Sequence, residues 1–199
     1  MSKASIAQMT LGAFRADIES RAMPGCGAVA ANAAANGLAL ILKGLRLTKS
    51  KGEDKRRARL IEQGERLEER LGGYADEDIA AFKAYLAAKK DADQDASDDE
   101  ALERAVERIN QVPLATARGC IDALRHAEQA IDQIKPALHS DARAGAQLIH
   151  AGLSMVLINV DANLDGLDDE TERRELADER ASLQAEADRM RARLAPAPS

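Results

Sequence analysis

Apolar positions recur along this chain at helical spacing almost throughout, and no stretch reads as a strand. Leu11, Phe14 and Ile18 make an apolar stripe on a first helix that Ser5 or Thr10 can cap and that runs to about Ala22. Pro24, Gly25 and Gly27 break that helix. Residues 28–43 then form an Ala-rich helix that is apolar or tiny on every face, as a helix buried on all sides reads. Asn32 and Asn36, four apart, are its polar interior residues and need partners if buried. After a basic turn at 48–52, residues 53–71 predict a polar helix with Leu60, Ile61, Gly64, Leu67 and Leu71 facing inward, ended by Gly72-Gly73. Residues 74–90 predict a short helix with an acidic start and a basic end, both favourable to its dipole. Its buried stripe is Ile79, Phe82 and Leu86, with Asp78 in the first turn beside it.

The acidic stretch 91–99 is the clearest linker. Ser97 with Glu100 predicts a capping box for a helix over 98–134, interrupted near Asn110–Pro113, because proline removes a hydrogen bond and clashes one turn back. Lys135-Pro136 ends it, and Ser140 is the expected cap of a helix over 141–160. Ala142, Gly145, Ala146 and Gly152 suit close packing of that helix on the Ala-rich one. A charged outer helix over 169–194 and a frayed tail at 195–199 complete the chain. The pattern predicts one all-α domain over residues 1–194, a bundle of about six or seven helices around the central Ala-rich helix. Its small-residue faces are more extensive than one layer covers, so a homodimer is expected.

Composition narrows the function. The formal net charge is -6, and the aromatic residues are two Phe and two Tyr with no Trp. That argues against nucleic acid, which needs a basic surface or a stacking platform. The Ala-rich run, broken by two Asn and closed by Lys43, falls short of the ~20 apolar residues of a membrane span. Two cysteines, Cys26 and Cys120, sit far apart in no metal spacing, and no signal peptide stands at the N-terminus; a cytoplasmic protein with reduced thiols is expected.

Local chemistry offers a few sites. The Pro-Gly-Cys-Gly turn opens a helix whose first N–H groups are free to meet an anion or a carbonyl. Cys26 at that N-terminus is a ligand-facing or packed thiol rather than a nucleophile, since His126, His139 and His150 are not placed near it by sequence. Residues 161–172 place Asp161, Asn163, Asp165, Gly166, Asp169 and Glu172 at calcium-loop spacing. Asp168 stands where such a loop has an apolar residue, and the similar stretch at 91–102 fails at Ala96 and Leu102. An acidic interhelical turn with capping Asp residues is the expectation, and a weak calcium site the alternative.

Several motifs in order resemble the cyclodeaminase/cyclohydrolase family of folate enzymes. They are Pro24-Gly25-Cys26-Gly27-Ala28 before the Ala-rich helix, Asp78-Ile79-Ala80-Ala81-Phe82, Val112-Pro113-Leu114, Ser140-Asp141-Ala142, and Asn159-Val160-Asp161-Ala162-Asn163. The resemblance implies a helical dimer that takes a tetrahydrofolate derivative as substrate, with no tightly bound cofactor and no metal. It implies hydrolysis of 5,10-methenyltetrahydrofolate to 10-formyltetrahydrofolate, or ring closure of the formimino form with release of ammonia. The methenyl carbon is already electrophilic, so a carboxylate that orients or deprotonates water suffices. Asp78 and Asp141 are the expected catalytic pair. Pro24, Gly25, Cys26, Gly27, His139, Ser140, Asn159 and Asn163 are expected against the substrate, with Lys49, Lys51 or Arg56 meeting its glutamate tail.

The chain also departs from the family pattern. Cys26 replaces a glycine, Lys43–Thr48 lacks the family's Asn, the basic run at 48–55 is scrambled, and Ile134–Ala137 replaces the Gly-Asn-x-Asn before Ser140-Asp141. These losses lie in loops that line the family's ligand cleft. They favour, as an alternative, a non-catalytic relative that binds a ligand or a protein partner.

Overall fold

The Ala-rich segment is the axis of the molecule. The computed structural model describes residues 5–49, 54–92, 99–164, 166–167 and 169–195. It contains six α-helices and, among the described residues, no strand: α1 (Leu11–Ser20), α2 (Cys26–Leu47), α3 (Lys55–Ala92), α4 (Asp99–Ile131), α5 (His139–Leu164) and α6 (Glu170–Leu194). Two single 3-10 turns, Ile6–Gln8 and Pro136–Leu138, precede α1 and α5. α2 packs along α5 and against α3 and α4, while α6 lies over α4 and α5.

Small residues explain the α2–α5 contact. A Cβ on Gly37 would lie 2.5 Å from the Gly145 carbonyl oxygen, and one on Gly145 only 2.3 Å from that of Gly37. The two backbones touch there, and only glycine fits on either side. Below the crossing, Leu38, Ile41, Leu42 and Leu45 of α2 are wholly buried with Ile149, Leu153 and Leu157 of α5. Each such side chain contributes about 1.5–3 kcal/mol by leaving water.

Several boundaries differ from the sequence reading. Gly72-Gly73 does not end a helix: α3 runs unbroken for 38 residues. Two interior glycines cost roughly 1 kcal/mol each against alanine, and α3 offsets this by packing along both α2 and α4. Its buried side in that stretch is Leu71, Ala75 and Ala81, while Phe82 and Leu86 are exposed. Asp78 therefore lies mid-helix on the inward side, not in a first turn. Pro113 sits inside an unbroken α4, which ends at Ile131 rather than Ile134. Ser140 is in the first turn of α5, which starts one residue before it, so it is not the cap. On α1, which ends at Ser20, Thr10 is the cap, but only Phe14 of the expected stripe is buried. Asn36 is exposed and its amide donates to the Asn32 backbone carbonyl at 2.8 Å, and Asn32 is only half-buried, so neither side chain is sealed in the core. Asp54 caps α3 by accepting from the Arg57 N–H at 3.0 Å. The expected Ser97 cap and most of the acidic linker lie outside the described residues.

α2 is also, among the described residues, the one helix long and apolar enough to cross a membrane by length and composition. Only 56% of its most apolar window is buried in the bundle, which leaves one face open. Beside that face α5 presents Ala144, Leu148, Ala151, Ile158 and Ala162, all exposed and spaced on one side of the helix.

Candidate functional site

Pro24 enters through a cis Met23–Pro24 peptide and is buried, and Gly25 is the N-cap of α2 without a side-chain cap of its own. The missing cap comes from another helix. The Asp78 carboxylate of α3 accepts the Ala28 N–H through Oδ2 at 3.1 Å. A Cβ on Gly27 would fall 2.0 Å from Asp78 Oδ1 and 3.0 Å from Asn159 Nδ2. Glycine at 27 is thus what lets the carboxylate reach the end of α2. The anion met by this helix N-terminus is the protein's own.

Asp78 stands at the edge of a cleft of about 380 Å³ whose walls come from α3, α4 and α5 and the Ala22–Cys26 turn. Phe82 and Tyr85 of α3, Val106 and Ile109 of α4 and Pro113 supply apolar surface, while Asn110, Asn159 and Asn163 supply amides. The combination suits a flat heterocycle with polar edges. Partial burial pushes the Asp78 pKa above the ordinary carboxylate value, and the hydrogen bond from Ala28 opposes this only in part. A carboxylate raised by burial at a cleft is a candidate for proton exchange with whatever binds there.

Cys26 lines the same cleft. Its Sγ donates to the Met155 carbonyl at 3.4 Å. Burial, and secondarily the Asp78 charge, push its pKa up, which disfavours the thiolate, and no histidine lines the cleft. A wall thiol fits; a nucleophile does not. Cys120 is fully buried, with its pKa pushed up to about 12 by desolvation.

The expected site residues divide between two ends of the bundle. Gly25, Cys26, Asp78, Asn159 and Asn163 line the cleft, with Pro24 and Gly27 in its turn and helix start. Asp141 lies roughly 27 Å from Asn159 along α5, where it pairs with Lys43 Nζ at 2.7 Å. His139, whose Nε2 donates to the Ile134 carbonyl at 2.8 Å, and exposed Ser140 lie at that end too. Exposed Lys49 follows the C-terminus of α2, and exposed Arg56 is in the first turn of α3. Lys51 lies outside the described residues. Within one protomer, then, Asp78 and Asp141 do not meet.

Of the described acidic residues of 161–172, Asp161 and Asp169 are engaged within the protein. Asp161 is helical and holds Arg180 through both oxygens at 2.8 Å. Asp169 caps α6, accepting from Thr171 and Glu172 N–H at 2.7 and 3.2 Å. Glu172 is exposed in the first turn of α6, and Asp165 lies outside the described residues. Asn163 Nδ2 donates to the Ile109 carbonyl at 3.0 Å. That carbonyl would normally receive the N–H of residue 113, and proline has none. Asn163 therefore fills the vacancy that Pro113 creates. Sequence reasoning missed Asn110 as a site residue; a polar residue one turn before an in-helix proline was the available signal.

Residues 10–182 match the family model described as formiminotransferase-cyclodeaminase. The chain is 30% identical over 179 residues to the methenyltetrahydrofolate cyclohydrolase of Methylorubrum extorquens, covering 86% of each protein. Its fold is similar to the crystal structure of formiminotetrahydrofolate cyclodeaminase from Thermotoga maritima, with a TM-score of 0.84, 26% identity and 95% of each chain covered. With the Pro-Gly-Cys-Gly turn, the Asp78 helix and the Asn159–Asn163 segment gathered on one cleft, the chain belongs to the formiminotransferase-cyclodeaminase family of folate one-carbon proteins.

Proposed function

We propose that this protein hydrolyses 5,10-methenyltetrahydrofolate to 10-formyltetrahydrofolate, with Asp78 as the general base. The observation that carries the reading is the Asp78 carboxylate, partly buried and oriented by Ala28 at the edge of a cleft with apolar walls. Water adds to the bridging carbon as its proton passes to Asp78. The C–N5 bond then breaks, N5 takes up a proton, and the carbon stays on N10 as formyl, with one proton released overall. A base with a raised pKa is a stronger acceptor for the water proton, and such catalysis is worth typically ~10²–10⁴-fold. Kinship with the Methylorubrum cyclohydrolase favours hydrolysis. The likeness to the Thermotoga cyclodeaminase supports the second reading, ring closure of a formimino folate with loss of ammonia. The assay that decides follows loss of methenyltetrahydrofolate absorbance and, separately, ammonia release from formiminotetrahydrofolate. Turnover of the first without the second supports the hydrolase. The converse replaces it with the deaminase, and binding without either reaction means a ligand-binding relative.

The reading includes a homodimer through the open α2–α5 face, where Leu148 and Ile158 are 39% and 59% exposed. Antiparallel pairing of two α5 stripes about a two-fold axis sets the Asp141–Lys43 end of one protomer beside the cleft end of the other. Asp141 then serves the neighbouring cleft. Mixed Asp78→Asn and Asp141→Asn proteins would recover roughly a quarter of wild-type activity, because half the dimers carry one intact site. No recovery, or a monomer near 21.3 kDa by sedimentation, would remove the composite site.

A further inference from the structure

The geometry points to Asn110 as a substrate-binding residue of the cleft, reading the donor–acceptor edge of the bound heterocycle. The inference rests on the folate reading above. Asn110 is 7% exposed, its side-chain amide pairs with no described residue, and that amide is not sealed from solvent but opens on the cleft. An amide held at a cleft wall with no protein partner is free to pair with a ligand, and its place there needs a reason. Its surroundings supply one. Asn110 lines the cleft beside Ile109 and Pro113, across from Asn159 and Asn163.

The local backbone is held for the purpose. Pro113 deprives the Ile109 carbonyl of its usual helical donor, and the Asn163 amide replaces that donor at 3.0 Å. One turn on, Thr116 Oγ1 donates to the Val112 carbonyl at 2.9 Å, so the proline turn is fixed on both sides of Asn110. The clamp uses Asn163's donor and leaves Asn110 uncommitted. A planar amide presents one donor and one acceptor side by side. A pyrimidinone edge of a pterin offers the complementary pair. Asn163 is here a positioning residue, and Asn110 the contact.

The test titrates the full-length chain with 5-formyltetrahydrofolate by calorimetry and measures urea unfolding of the same proteins. Asn110→Leu, nearly the same size, is expected to bind at least tenfold more weakly while its urea midpoint holds, because the amide pairs with no other described residue of the protein. Asn110→Ala, which adds no bulk, is expected to lose a comparable factor in affinity. Unchanged affinity in Asn110→Leu would overturn the assignment while leaving the folate reading intact. So would a fall in its midpoint alongside its affinity, which marks a structural residue, or full affinity in Asn110→Ala, which marks a steric effect. Failure of the wild-type chain to bind at all would overturn the folate reading itself, and this assignment with it.

Discussion

Two glycines of α2, Gly37 and Gly27, each leave a space that a methyl group would fill, and different things occupy those spaces. At Gly37 the occupant is the Gly145 backbone of α5, 2.5 Å from the position of a Cβ. At Gly27 it is the Asp78 carboxylate, at 2.0 Å. The first contact joins two rigid backbones inside the core. The second admits a movable, ionisable side chain at the border of a cleft. The same device serves packing in one place and admits a cleft carboxylate in the other, and the two should respond oppositely to the same substitution.

Gly27→Ala should cost activity far more than stability. The carboxylate can swing aside to make room, and a displacement near 1 Å from productive geometry can lose about 100-fold in rate. Gly145→Ala should do the reverse. Neither backbone can yield easily, so a loss of about 1–3 kcal/mol or more is expected in urea unfolding, with the affinity of the folded fraction for folate retained. If Gly27→Ala unfolds the protein while staying active when folded, the contrast between the two sites is wrong.

A smaller effect tests the proline clamp. Asn163→Ala leaves the Ile109 carbonyl without its donor and should cost about 1–3 kcal/mol. Pro113→Ala restores the helical N–H, so in that background Asn163→Ala should cost markedly less. A double-mutant cycle with no coupling between the two positions would reject the clamp. The smallest expected effect is a gain. A Cβ on Gly73 meets nothing within 4 Å and the residue is helical, so Gly73→Ala should raise stability by about 0.5–1 kcal/mol in thermal or urea unfolding.

That last position shows where sequence reasoning reached its limit. Gly72-Gly73 carries the local signature of a helix end, but packing along α2 and α4 outweighs the propensity and α3 continues. With the break went the first-turn placement of Asp78; that its carboxylate caps the start of another helix at the edge of a cleft is a tertiary fact. Phe82 reads as core by spacing, yet Ala75 and Ala81 take the buried side and leave Phe82 to the cleft wall. The central helix and its partner α5 were readable because small residues at 3.6 spacing constrain a neighbour to come close. Asp141 and Asp78 belonged to one expected pair, and nothing in a linear sequence reveals that a helix of this length sets them at opposite ends of a protomer. Asn110 was harder to read for a related reason: on a helix rich in polar residues, the one that faces a cleft stands out only in three dimensions, and its place one turn before Pro113 was the single hint.

The central claim is that Asp78 accepts the proton of the attacking water. Its sign in pH is definite. With a folded-state pKa above the unfolded value, the native protein binds the Asp78 proton more readily. This group's contribution to stability is therefore greatest at low pH and falls as pH rises from the ordinary carboxylate value through the raised one. Activity runs the other way, since the base works only when ionised. The most direct measurement is kcat/KM for methenyltetrahydrofolate hydrolysis against pH, corrected for the uncatalysed rate, in wild type and Asp78→Asn. The account predicts a wild-type rate that climbs with pH along an acidic limb centred above the ordinary carboxylate pKa. In Asp78→Asn it predicts loss of that limb, a rate lower by ~10²–10⁴-fold and unimpaired stability near neutral pH. A folded Asp78→Asn protein that hydrolyses the substrate at the wild-type rate, with the same limb, would contradict it.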